Sequence, residues 1–177
     1  MTTHAHTREP HPTLFDRPVG LIRVPSPLGR IELTSDGSAV TGLRIECDGR
    51  LPRDGYRESS VDVLVRAAEQ LAEYFDGSRR LFDVPLSVEG TEFQKGIWAS
   101  LGSVPFGEAT TYGRLGHDAG LGVAGRAVGG AVRANPAPLL IPCHRVLSSG
   151  GRVVGYSQGS GVATKLWLLQ HEGIPYR

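Results

Sequence analysis

Hydrophobic spacing is mainly strand-like before about residue 90 and mainly helical after it, and that change limits the folds open to this chain. Before it the pattern is mostly that of strands. Leu21 to Val24 runs into a Pro25-Ser26-Pro27-Leu28-Gly29 turn, Ile31 and Leu33 alternate with polar neighbours, Asp36-Gly37 turns again, and Val40 to Ile45 closes a meander. A polar loop over 48–58 leads to a helix starting at Ser59 or Ser60, with Leu64, Ala68, Leu71 and Phe75 at helical spacing and Gly77 as its left-handed cap. Phe82, Val84, Leu86 and Val88 then alternate as one more strand. After residue 90 the period is helical. Thr91 with Gln94 is a capping box ahead of Phe93, Ile97 and Leu101. Thr111 caps a short helix to about Ala119, Gly120-Leu121-Gly122 breaks it, and a further helix runs from about Val123 to Ala134, before Asn135-Pro136. Two short helices joined by a tight glycine turn are the outline of a helix-turn-helix. The class is α+β, with a tail over 1–18, an N-terminal unit over 19–89 and a C-terminal unit over 90–177.

The tail holds three prolines and no hydrophobic period, and is expected to be flexible. No stretch has membrane-spanning length, and the start lacks the apolar core of a signal peptide. With only Cys47 and Cys143 among 177 residues, a disulfide framework is not expected, and the cytoplasm is the expected compartment. Neither the two distant cysteines nor His4, His6 and His11 in the tail make a metal site, so no cofactor is expected. Charge is split unevenly: residues 1–89 hold 11 Arg against 14 Asp and Glu, a net −3, whereas 90–177 hold 8 Lys and Arg against 4 acids, a net +4. A basic half on an acidic one suits a polyanion-binding unit with a non-binding companion.

The second helix of the pair carries Gly125, Gly129 and Gly130, each costing about 1 kcal/mol relative to Ala. Two readings fit: packing against a neighbouring helix, or a backbone that presses close to a nucleic-acid groove. Its only charges are Arg126 and Arg133. The stretch Ile141-Pro142-Cys143-His144-Arg145-Val146 sets a thiol beside an imidazole. A cysteine attacks as thiolate, and a neighbouring His can take its proton. Equally, such a cysteine can be a small buried hydrophobe. To this point Tyr112 and Glu172 read as a core residue and a solvated surface residue. Ser149-Gly150-Gly151 is expected to turn a hairpin returning over Val153 to Tyr156, and Leu166, Trp167 and Leu169 to pack a last helix.

Asn135-Pro136 with Pro142-Cys143-His144-Arg145 resembles the active-site signature of the O6-alkylguanine-DNA alkyltransferases. The likeness runs from Ser26-Pro27-Leu28-Gly29 to Glu172, through Val104-Pro105-Phe106-Gly107-Glu108, Thr111-Tyr112-Gly113 and Gly125-Arg126-Ala127-Val128-Gly129-Gly130. It implies a ribonuclease H-like N-terminal unit and a mostly helical, winged helix-turn-helix-like C-terminal one. It implies a monomer that binds double-stranded DNA, flips out O6-alkylguanine (with O4-alkylthymine as a second substrate) and moves the alkyl group irreversibly onto Cys143. His144 would take the thiol proton through a water, and Glu172 would orient the His. Tyr112 would donate to the leaving base, Arg126 would fill the gap in the stack, and Asn135 would brace the active-site turn. Val146, Tyr156 and Ser157 would line the base pocket, while Gly129, Gly130 and Arg133 would meet the minor groove and phosphates.

One loop departs from the family. Two glycines usually follow the tyrosine matched by Tyr156, and a Lys lies seven residues beyond it. Here Gln158 takes the first glycine position and Lys165 lies nine residues on, so two residues are inserted near the pocket. Two other activities fit parts of the pattern. A cysteine hydrolase would want a Gly-rich oxyanion loop that the sequence lacks. A non-catalytic helix-turn-helix regulator would want base-reading side chains, which the second helix offers sparingly.

Overall fold

A computed structural model describes residues 17–121 and 125–177. Most of the tail, the Gly122 end of the expected turn and the Val123 start of the expected helix lie outside them. Three strands, β1 (Gly20–Val24), β2 (Ile31–Ser35) and β3 (Val40–Ile45), form the antiparallel meander, with β2 in the middle. Every residue of β2 is buried. Ile31 and Leu33 join the main core, while Glu32 between them is neutralised by Arg53 and Arg23.

Helix α1 (Asp62–Asp76) covers the sheet and ends at Gly77, whose φ of 86° is the left-handed cap the sequence predicted. Its start corrects the expectation. Ser59 exchanges both backbone hydrogen bonds with Leu21, each 2.8 Å, so the sheet holds that hydroxyl residue and Val61 becomes the N-cap. The buried face is also turned from that expected: Ala67 and Tyr74 are inside, Ala68 and Phe75 only half so. The strand expected over 82–88 does not form. Only Leu86 bridges to Val40, because Pro85 between its neighbours has no N–H with which to continue a ladder.

The second half packs three helices together: α2 (Glu92–Gly102), α3 (Tyr112–Asp118) and α4 (Gly125–Arg133). Thr91 and Gln94 complete the capping box of α2, and the Thr111 side chain accepts from the Arg114 N–H at the head of α3. Trp98 of α2 donates its indole N–H to the Ala131 carbonyl of α4 at 2.9 Å, tying the pair. Two short parallel strands, β4 (Thr110–Thr111) and β5 (Val146–Leu147), join the head of α3 to the segment after Cys143. The turn near Gly151 forms, but Val153 to Tyr156 is not a strand: β5 pairs with β4 instead, and Gly155 at φ 94° breaks the extended backbone. Helix α5 (Val162–His171) closes the chain with Lys165, Leu168 and Leu169 buried, whereas Leu166 and Trp167 are half-buried.

Buried residues of both halves belong to one hydrophobic cluster reaching from Ile31 to Leu168. Polar contacts cross between the halves as well. The Leu43 N–H and the Arg44 guanidinium both donate to the Pro136 carbonyl, and His171 Nε2 meets the Tyr74 carbonyl at 2.7 Å. The sheet therefore holds the far end of the segment that delivers Cys143. Among the described residues, no helix is long and apolar enough to cross a membrane.

Candidate active site

The thiol is delivered by a braced connection. Asn135 is buried at the end of α4; its side-chain amide donates to the Ile141 carbonyl at 2.7 Å and accepts from the Ala137 N–H at 3.0 Å. It thereby spans the whole run from Pro136 to Ile141, inside which Leu139 takes a left-handed φ of 74°. A single 3₁₀ turn, Cys143–Arg145, follows, and β5 then fixes its exit.

Cys143 is 3% exposed, at the base of a cavity of about 760 Å³. Tyr112 from the head of α3, Arg126, Gly129 and Arg133 from α4, and Tyr156 with Ser157 line its walls. The resemblance gave Tyr112, Tyr156 and Ser157 to the base and Arg126, Gly129 and Arg133 to the DNA; all six line this one cavity. Gly130 lines it too, and Val146 does not: fully buried in β5, Val146 turns its carbonyl to Lys165 Nζ at 2.6 Å. The glycines of α4 also separate the two readings of that helix. Among the described residues a Cβ at Gly125 or Gly130 would meet nothing within 4 Å, and at Gly129 only the Tyr112 ring, at ordinary contact distance. No neighbouring helix asks for glycine there, so the bare backbone faces outward.

Behind the cysteine is a buried polar cluster. His144 Nε2 lies 2.7 Å from Glu172 Oε1, and neither side chain is more than 1% exposed. A carboxylate only accepts, so Nε2 carries the hydrogen and Nδ1 keeps the lone pair. Nδ1 is buried and has no hydrogen-bond partner among the described residues. Glu172 is not the solvated residue its position suggested. Tyr74 donates to it at 2.8 Å, Arg145 reaches both of its oxygens at 2.8 and 3.0 Å, and the Gly107 N–H approaches at 3.3 Å. Burial pushes this carboxyl up, but His144 and Arg145 together outweigh it and hold it at about 2. Burial lowers His144 despite the pull of Glu172, so at neutral pH the imidazole is a free base. Burial raises the Cys143 thiol, against the Asn135 and Tyr156 side chains and the nearby Lys165 charge, which lower it. At rest the pair is thiol and imidazole rather than thiolate and imidazolium.

Three members of this cluster had no role in the sequence reading. Arg145 lay in the quoted signature, and its burial could have been inferred only with a carboxylate to match it. Lys165 registered as a displaced family residue; it is 1% exposed, and burial lowers it to about 8 although Cys143 pulls the other way. Tyr74 gave no chemical signal, since an aromatic at helical spacing reads as core. Its hydroxyl is open to a direct test. Tyr74→Phe is expected to lose about 1.5–3 kcal/mol of stability in urea unfolding, the usual worth of a hydrogen bond to a charged group, while four donors still hold Glu172. An unchanged midpoint would mean that this contact adds nothing.

Comparison with known proteins agrees with this geometry along nearly the whole chain. Residues 21–88 match the 6-O-methylguanine DNA methyltransferase ribonuclease-like domain, and residues 92–174 the DNA binding domain of the same family. A methylated-DNA–protein-cysteine methyltransferase of Methanosarcina acetivorans is 46% identical over 84% of this chain and 94% of its own length. This chain belongs to the methylated-DNA–protein-cysteine methyltransferase family. A second member, from Haemophilus influenzae, is 38% identical over 86% of this chain and 85% of its own. Among solved structures, the Mycobacterium tuberculosis OGT in complex with DNA superposes with a TM-score of 0.75 at 36% identity, covering 85% of this chain and 90% of that one. The methyltransferase family thus accounts for the sheet, the helix-turn-helix and the cysteine segment together. Among the described residues no group of three metal-binding side chains is clustered.

Proposed function

We propose that this protein repairs DNA directly, moving the alkyl group of O6-alkylguanine in duplex DNA onto Cys143 once and irreversibly. The observation that carries the reading is a single cavity lined by Cys143, Tyr112 and the two arginines of α4. The thiol proton passes, through a bridging water, to the lone pair on His144 Nδ1. Glu172 stabilises the resulting imidazolium from the Nε2 side. The thiolate then attacks the alkyl carbon, a carbon–sulfur bond forms, and the carbon–O6 bond breaks with its electrons passing to the guanine ring. Burial raises the Tyr112 hydroxyl, which therefore keeps its proton and can donate to the ring as that charge develops. Asn135 braces the turn, Tyr156 and Ser157 bound the base, and Gly129 and Gly130 allow α4 to approach the minor groove. Flipping costs a few kcal/mol, least where damage has weakened the pair. In this reading the unit over 19–89 supports the site, the unit over 90–177 binds DNA, and the protein works as a monomer in the cytoplasm, where the free thiols of Cys47 and Cys143 stay reduced.

The test is intact mass after incubation with a duplex bearing O6-methylguanine. One methyl group per protein is expected, mapped to Cys143, with no further transfer when more damaged duplex is added. Sustained turnover beyond one equivalent would sink the reading and revive a hydrolase.

Arg126 and Arg133 allow a sharper test of flipping. Both are exposed, both line the cavity, and they are two turns apart on α4, so charge alone would make them equivalent. A side chain that replaces lost stacking does more. Arg126→Ala is expected to slow repair of duplex far more than reaction with a free O6-substituted guanine, whereas Arg133→Ala weakens duplex binding and its salt dependence only. Equal loss on both substrates for Arg126→Ala would assign it to the pocket.

A further inference from the structure

A second cavity, of about 530 Å³, lies against the first. The two share Arg133 and Ser157, whose hydroxyl donates to the Arg133 carbonyl at 3.3 Å, so one strip of chain separates them. The far wall comes from the sheet unit, as Arg44 at the end of β3 and Arg50 in the loop that follows. Among the described residues no Asp or Glu lines it. Of the acids nearby in sequence, Glu32 holds Arg53 and Arg23, and Glu46 and Asp54 hold Arg30; Asp48, beside Cys47, is exposed and lies outside the lining. Arg44, Arg50 and Arg133 make no ion pair among the described residues. Arg44 gives Nη1 to the Leu43 and Pro136 carbonyls, which leaves other donors of its fork unused. Burial and the neighbouring Arg53 lower its pKa, against the pull of Glu32 across the sheet.

The remaining wall is the loop that starts at Ser157. Gly159, at φ 53°, is packed so closely that a Cβ there would meet Thr164 Oγ1 at 2.7 Å and Ile45 Cγ2 at 2.9 Å. This loop is therefore clamped onto β3, and Gln158 and Gly159 line the cavity beside the arginines. A net-negative unit has here concentrated unpaired guanidinium groups on the side that meets α4 and the pocket rim.

We propose that this cavity is a phosphate subsite, in which Arg44, Arg50 and Arg133 hold a backbone phosphate of the duplex whose alkylated base enters the neighbouring cavity. It rests on the reading that duplex DNA is the substrate, and it extends the DNA contact from the helix-turn-helix onto the sheet unit. Guanidinium forks suit the planar, bidentate grip that phosphate oxygens accept. The shared Arg133–Ser157 strip sets the subsite directly beside the flipped nucleotide, where the strand has to pass.

Arg50 is the residue to change, being exposed and in a loop. Binding of full-length protein to an O6-methylguanine duplex would be followed by fluorescence anisotropy across a range of salt. Arg50→Ala is expected to lower affinity and reduce the slope of log K against log salt by about 1, with Arg50→Lys keeping most of that slope. Reaction with a free O6-substituted guanine, which has no backbone, is the control that should not move. A slope unchanged in Arg50→Ala, while the parent still transfers its alkyl group from duplex, overturns the subsite and leaves the repair reading standing. Calorimetric binding of inorganic phosphate that is lost in Arg50→Ala without any change of slope would reassign the cavity to a small anion and likewise overturn it. Failure of the parent to bind duplex at all removes the subsite and the repair reading together.

Discussion

Cys143→Ala is expected to accept no alkyl group while binding duplex DNA about as tightly as the parent. Among the described residues the sulfur is the one thiol lining the cavity, and it is 3% exposed, whereas Arg126 and Arg133 of α4 are exposed to meet the phosphates. Truncating it removes one atom from a packed site, a change worth about 1 kcal/mol, so folding should survive. Cys143→Ser is the harder test, because its hydroxyl can take the place of the thiol beside the Tyr156 oxygen, 3.8 Å away, and preserve packing. It should fail as well, since a hydroxyl gives up its proton far less readily than a thiol. Cys47 is the control: it is exposed and sits outside this cavity. Cys47→Ala should transfer at the parent's rate. Alkylation of Cys143→Ala after exposure to damaged duplex would mean that Cys47 or another group is the acceptor.

What the sequence could show follows from how far apart the interacting residues are. Capping of α2 by Thr91 and Gln94, of α3 by Thr111 and of α1 by Gly77 involves residues within one turn, and each stands as expected. The structure departs from the local pattern at two places, one through a distant partner and one through a proline inside the run itself. Ser59 would serve as a cap, but Leu21 claims its backbone. Residues 82–88 alternate like a strand, yet Pro85 limits the pairing with Val40 to a single bridge. The cysteine and its histidine are adjacent and could be found by inspection. The groups that set their protonation come from residues 135, 145, 156, 165 and 172, and only the fold brings Glu172 within 2.7 Å of His144. The glycines of α4 lay between these cases: their pattern was visible, but the choice between helix packing and an outward face needed the open space found around Gly125 and Gly130.

Glu172→Gln is expected to slow transfer by about 10²–10⁴-fold, the usual contribution of general acid–base groups, and to cost stability at the same time. The carboxylate accepts from His144, Tyr74, Arg145 and Gly107, and an amide can offer only one oxygen to them. If that oxygen stays on His144 Nε2, the new NH₂ faces Arg145, whose buried charge loses its partner. Breaking such a pair typically costs about 3–5 kcal/mol. If the amide turns the other way, it donates towards Nε2, and Nδ1 must then carry the hydrogen and can no longer act as base. Either arrangement harms the relay, so the rate falls whichever way the amide turns. The parent's acid unfolding offers an independent check. Glu172 is held at about 2 in the fold, below its ordinary 4.5. Its contribution is therefore fully present above about 4.5 and is lost as pH falls towards 2, on the order of 3 kcal/mol in all. His144 acts in the same direction and begins sooner: burial lowers its pKa, so the unfolded chain takes up that proton first and stability starts to fall below about 6.5. Unfolding in urea at a series of pH values should show the parent losing stability in both windows, and Glu172→Gln losing part of the dependence below 4.5, with Asp36, Glu46, Asp54 and Asp76, also held low, supplying the rest. A variant with the parent's transfer rate and the parent's acid profile would take Glu172 out of the mechanism and leave Cys143 and His144 to act without it.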